Sequence, residues 1–136
     1  MLIDTSTVLS VTWFGLESKR QKLPKIFYAE VLKIDPSIEL VFSFADVEAH
    51  SERFVTWVDQ LVSGMLSREA LTSLGVDLVH NGVNRHQVEQ FSDIFLESLK
   101  TVYGQSWTTG IDDAWTRMVV KASFFIQGAD RRRYSV

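Results

Sequence analysis

An all-α fold of six or seven helices is what this sequence predicts, and three observations predict it. Apolar residues recur at three- and four-residue spacing in successive segments, and no segment keeps the strict alternation of a half-buried strand. The only two prolines, Pro24 and Pro36, stand in the first third of the chain, so long later stretches are free of helix breakers. Asn, Asp or Thr at segment starts and Gly at segment ends punctuate the periodicity. With 136 residues, 46% of them apolar and 23% charged, the chain has the size of one domain, 1–136, able to bury a core without staples.

In the first segment, Val8, Leu9, Val11, Trp13, Phe14 and Leu16 fit helical steps. A second helix begins near Pro24, which suits a first-turn position, and carries Leu23, Ile26, Phe27, Val31 and Leu32. It ends near Asp35, because the residue before Pro36 is biased away from the helical region. The third, over 47–65, shows Phe54, Trp57, Val58, Leu61, Val62 and Met65 as an apolar stripe, with Asp46 as N-cap and Gly64 as its end. A shorter helix over 67–79 is closed by Asn81 and Gly82. Asn84, with Gln87 three residues on, forms a capping box that starts the stripe Val88, Phe91, Phe95, Leu99 and Val102, ending at Gly104. Thr108 or Thr109 caps the last helix, whose stripe is Ile111, Trp115, Met118, Ala122 and Phe125.

Composition removes several functional classes. Zero cysteines exclude a disulfide framework, a zinc-thiolate site, a cysteine nucleophile and a thiol switch. The 14 basic residues include Arg131, Arg132 and Arg133; without these three, 11 positive charges face 17 acidic ones. Such an acidic body lacks the basic face that binding to a phosphate backbone requires. The triple arginine is expected to be a frayed, solvated C-terminus. No apolar run approaches the ~20 residues of a membrane span. The start of the chain also lacks the basic and apolar regions of a signal peptide, which predicts a cytoplasmic protein.

Motifs that carry chemistry are few. In a strand, Asp46, Glu48, His50 and Glu52 would share one face and form a metal site. The helical stripe that follows makes them a helix start instead, where acids complement the dipole and scatter around the axis. The Glu-x-x-His spacing of di-iron bundles, the Gly-x-Ser-x-Gly elbow, the phosphate loop and the Gly-x-Gly-x-x-Gly turn are all absent. Three histidines remain. His50 continues the inward stripe of Phe54, Trp57 and Leu61, and His80 closes the next helix. Two histidines on consecutive helices around an aromatic interior suit a planar metal cofactor gripped from both sides, although a lone inward His is more often a hydrogen-bonded core residue.

One stretch is more specific. Phe27-Tyr28, an aliphatic pair, Asp35-Pro36 and a closing Val41-Phe42 at a fourteen-residue interval from Tyr28 resemble the globin family, in particular its bacterial single-domain and flavohemoglobin type. Leu74-Gly75 with Gly82-Val83, Ser106-Trp107-Thr108 and Asp113-Ala114-Trp115 extend the resemblance over nearly the whole chain. It implies a globin fold of six to eight helices in a three-on-three sandwich, and binding of heme and, through it, of a diatomic gas such as oxygen. It further implies that Phe42 wedges the heme, that Tyr28 and His50 face the distal ligand and that Phe54 overlies the iron, where its bulk cramps the cavity. His50 bonding the iron in the absence of gas would give a six-coordinate resting state.

The proximal side departs from the family. The pattern Leu-Gly-x-x-His-x-x-x-Gly-Val places Leu78 at the ligand position, and His80 follows two residues late, roughly 200° further around a helix. A shifted helix with a shorter exit turn restores His80 as the iron ligand. The intervals of 28 residues from His50 to Leu78 and 30 to His80 do not choose between them. Val88 stands where the family supports its proximal His with Tyr. The reductase domain of flavohemoglobins is absent, so the expected role is binding and not enzymatic turnover, with a separate reductase or signalling protein as partner. Analogy with the family also implies a homodimer through the last two helices. The alternative is a heme-free regulatory or protein-interaction globin in which Leu78 and Phe54 fill the pocket.

Overall fold

The computed structural model describes residues 4–36, 47–80 and 82–133, apart from the side chains at 47–50, 77 and 129–133. Six α-helices make up the described fold: α1 (Thr5–Gly15), α2 (Lys22–Ile34), α3 (Val47–Val62), α4 (Arg68–His80), α5 (Arg85–Tyr103) and α6 (Thr109–Arg133). Short 3-10 turns follow α1 and α5. The last helix is the spine: α4, α5 and α1 all pack along it, while α2 lies against α5 and α3 against α1 and α2.

The starts and stops follow local chemistry. Asp4 caps α1 by accepting from the Thr7 amide at 2.8 Å, a cap that the first segment's apolar pattern did not mark. Ser67 accepts from the Ala70 amide at 3.0 Å and so starts α4, and Thr108 accepts from the Ile111 amide at 3.2 Å and starts α6. The capping box is present in full: Asn84 Oδ1 accepts from the Gln87 amide at 2.9 Å, and Gln87 Oε1 accepts from the Asn84 amide at 2.8 Å. Gly64 ends α3 with φ +71°, as its position suggested, whereas Asp46 lies outside the described residues. The helix α6 runs to Arg133, so the three arginines belong to its last turn and not to a frayed tail.

The larger of two apolar clusters is built on tryptophan. Trp13 and Trp115 are both fully buried, with ring centroids 6.3 Å apart, among Leu9, Leu23, Val55, Val58 and Leu99. Each indole finds an acceptor. The Trp115 Nε1 donates to Thr12 Oγ1 at 2.7 Å, and Thr12 in turn donates to the Val8 carbonyl at 2.8 Å. Trp13 Nε1 donates to the Asp59 carboxylate, which Arg20 approaches at 3.6 Å. Without these acceptors each buried N–H would carry its desolvation cost uncompensated. The two bonds also tie α1 to α6 and to α3.

A second tie sets the angle of α2. Gln87, already part of the capping box, donates from Nε2 to Asp35 Oδ2 at 2.6 Å, so the end of α2 is fastened to the start of α5. Trp115→Ala is expected to cost ~3–5 kcal/mol of stability by opening a large cavity. Thr12→Val is expected to cost ~1–3 kcal/mol by orphaning the Trp115 indole. Urea unfolding of the two variants measures both, and a Thr12→Val chain as stable as the parent would show that the Trp115 bond contributes nothing.

Candidate functional site

The second apolar cluster surrounds a cavity. Phe27, Val31, Val83, Val88 and Ile94 form its buried base, with Tyr28, Phe54, Leu78, Phe91, Phe95 and Ile126 packed on it. Beside them lies a cavity of about 310 Å³, open to solvent and lined by Phe27 of α2 and by α3 on one side and by α4, α5 and α6 on the other. That volume is at the lower end of the ~300–1,000 Å³ typical of small-molecule sites.

Aromatic rings build one wall. Phe27 lies 5.3 Å from Phe54 and 5.5 Å from Tyr28, centroid to centroid, and Phe54 lies 6.0 Å from Phe95. Phe95 continues to Trp115 at 6.4 Å, so the cavity wall and the tryptophan core form one connected stack. Leu74 and Leu78 of α4, Val88 of α5 and Val119, Ala122 and Ile126 of α6 supply the aliphatic remainder. The bulk of Phe54 narrows the space on the α3 side.

Both serines of the lining have hydrogen-bond partners. Ser92 donates to the Val88 carbonyl at 2.9 Å. Ser123 accepts from Gln127 Nε2 at 3.0 Å, and Gln127 Oε1 accepts from Arg85 Nε at 2.9 Å. From α3 the lining also takes the indole of Trp57 and Arg53, which is itself exposed and makes no ion pair among the described residues. A guanidinium meets anions but ligates no metal, because it carries no free lone pair.

The sequence-derived site residues fall into four groups. Phe54 and Leu78 line the cavity. Tyr28 stands just outside the lining, half-buried, edge-on to Phe27 and 6.0 Å from Phe54. His50 belongs to α3, one turn before Phe54, but its side chain lies outside the described residues, as does all of Phe42. His80, the last residue of α4, is exposed and lies outside the lining. As α4 is described, then, His80 stands off the lining and Leu78 on it.

The end of α4 explains that outcome. The Val83 amide donates to the Leu78 carbonyl at 2.9 Å and the Gly82 amide to the Val79 carbonyl at 3.0 Å, with Gly82 at φ +85°. These two bonds are a Schellman motif, in which the residue after the glycine packs on the residue four before it. Here those residues are Val83, 2% exposed, and Leu78, so Leu78 must face inward. Two residues on, His80 points the other way.

Axial ligands of heme iron are drawn from His, Cys, Met and Tyr, and none of these lines the cavity among the described residues. No group of three or more His, Cys, Asp or Glu side chains there is arranged to hold a metal ion. Ligation of heme from α4 does not fit this lining. What the sequence missed is Arg53, Leu74, Phe91 and Ile126. Phe91 stood in the apolar stripe of α5, whereas nothing in the pattern singled out Arg53.

Burial pushes the Tyr28 phenol up from its ordinary value, and the nearby Arg53 charge opposes that only in part. The folded chain thus holds this proton longer than the unfolded chain does. The associated stability is complete below pH ~10 and is lost as pH rises through the folded-state value. Thermal unfolding by circular dichroism across that range is expected to show an alkaline decline that Tyr28→Phe reduces; an identical decline in both would place its cause elsewhere.

No helix of the described residues is long and apolar enough to cross a membrane. No curated protein matches the chain. The family model for globins matches residues 25–124, from the second turn of α2 to late in α6. With that match over most of its length and an all-α architecture, the chain belongs to the globin family.

Proposed function

We propose that this chain is a heme-free globin, a regulatory or protein-interaction module that binds and does not catalyse, and whose cavity takes an apolar ligand. The observation that carries this is the end of α4, where Leu78 faces the cavity and His80 faces solvent. Val88 supports it, since it puts a second aliphatic side chain on the lining where heme globins of the resembling type hold a tyrosine that steadies the iron ligand. Arg53 at the rim favours a ligand with an anionic head on an apolar body. The partner is then a signalling protein and not a reductase, because there is no iron to reduce.

A second reading is supported by the family itself, which generally binds heme and a diatomic gas through it. It draws on the retained cavity and on the position of His50 in α3, one turn before Phe54. In that case heme would supply the gas-binding iron, ligated from α3. Tyr28 would act as hydrogen-bond donor towards the ligand, its phenol kept protonated by burial.

Addition of heme to the purified chain, followed by absorption spectroscopy, tests both. The heme-free reading expects no Soret band in the parent chain or in His80→Ala, and a Soret band in Leu78→His, which puts an imidazole on the lining. A strong band in the parent that His80→Ala abolishes would overturn it and restore His80 as ligand. A band that His50→Ala abolishes would establish the second reading.

A further inference from the structure

Along α3 the lining of the cavity follows a pattern of its own. Arg53, Trp57 and Leu61 stand four residues apart, so they form a ladder on one helix face, and all three line the cavity. The ladder runs from a charge through an indole to an aliphatic side chain. At ~1.5 Å of rise per residue, Arg53 and Trp57 are ~6 Å apart along the axis.

The walls differ in kind. Phe27, Phe54, Trp57, Phe91 and Phe95 bring aromatic rings from α2, α3 and α5, whereas α4 and α6 contribute none. An aromatic guest gains about two- to tenfold in affinity from ring contacts, beyond the area it buries. A rigid ring also loses less freedom on binding than a flexible chain does. Arg53 adds the charge. It is exposed, it makes no ion pair among the described residues, and its charge reaches the Tyr28 phenol beside the aromatic wall. A guanidinium takes a carboxylate through two parallel hydrogen bonds, and at an open mouth the acid keeps part of its water.

We infer that the cavity binds an arylalkanoic acid, a fused aromatic ring joined by a short saturated linker to a carboxylate. The inference rests on the heme-free reading and gives its anionic, apolar ligand a chemical class. The carboxylate pairs with Arg53, and the ring packs on Trp57 and Phe54, with the aliphatic side chains of α4 and α6 completing its surroundings. The ~6 Å step from Arg53 to Trp57 sets the linker, because a carboxylate attached directly to the ring falls short of it and a two-carbon linker spans it.

Calorimetric titration of the full chain with 3-(2-naphthyl)propanoate tests this, against decanoate, 2-naphthoate and the neutral 3-(2-naphthyl)propan-1-ol. Saturable one-site binding is expected for the naphthylpropanoate, at least threefold tighter than for any of the other three. Arg53→Gln is expected to weaken the acid about tenfold and to leave the alcohol unchanged. Trp57→Leu is expected to weaken the naphthyl acid severalfold and decanoate little. Arg68→Gln, at an exposed cation on α4 outside the lining, is expected to change nothing. Decanoate binding as tightly as the naphthyl acid would overturn the ring, and an acid indifferent to Arg53→Gln, or weakened equally by Arg68→Gln, would overturn the anionic contact. No binding of the naphthyl acid by a chain that also shows no Soret band with heme would overturn the ligand class alone. A Soret band that His50→Ala or His80→Ala abolishes would overturn the heme-free reading beneath it.

Discussion

The chemistry available to this globin depends on one backbone turn. At the end of α4 the two hydrogen bonds around Gly82 place Val83 and Leu78 in contact, and Val83 is buried in the base of the cavity. Once that contact exists, the helix has no rotational freedom left. Every side chain of its last turn is assigned to the inside or the outside, and the histidine falls outside. Moving His80 inward would require a rotation of roughly half a turn, which would break both bonds and expose Val83 and Leu78 together. His80, two residues on from Leu78, lies on the opposite face of a helix end that is held by these bonds and by the burial of Val83.

The turn is effective because the rest of the molecule gives it a rigid surface to close on. Trp13 and Trp115 hold α1, α3 and α6 through buried indoles whose N–H groups are satisfied by Asp59 and Thr12. Phe95 and Phe54 carry that stack to the cavity wall, and Phe54 packs on both apolar clusters. Gln87 joins the two other anchor points, because it closes the capping box of α5 and also holds Asp35 at the end of α2. The Asp-Pro and Asn-x-x-Gln motifs, far apart in sequence, therefore meet in one hydrogen-bonded corner.

Much of this was legible in the residue pattern. The capping box at Asn84, the stop at Gly64, the exit at Gly82 and the stripes of α3, α5 and α6 follow from local rules whose partners lie within four residues. The choice between Leu78 and His80 was not legible from intervals, because loops absorb two residues without trace. Gly82-Val83 bears on it through the hydrogen bonds of the helix exit to Val79 and Leu78. Arg53 was invisible for a different reason. A charge on a helix acquires meaning only from what packs opposite it, and those neighbours belong to other helices.

The retained cavity bears on what such a globin can do. An apolar ligand seated here takes the surface of the lining out of water, and whatever binds only the folded state stabilises it by mass action. The coupling has a direction. The cavity separates α3 from α4, α5 and α6, whereas α6 is held along its length by α1, α4 and α5. Occupancy thus bears chiefly on how α3 is seated, and α3 carries Arg53 at the rim and Asp59 beneath Trp13. A ligand that favours one seating of α3 over another shifts the population toward it.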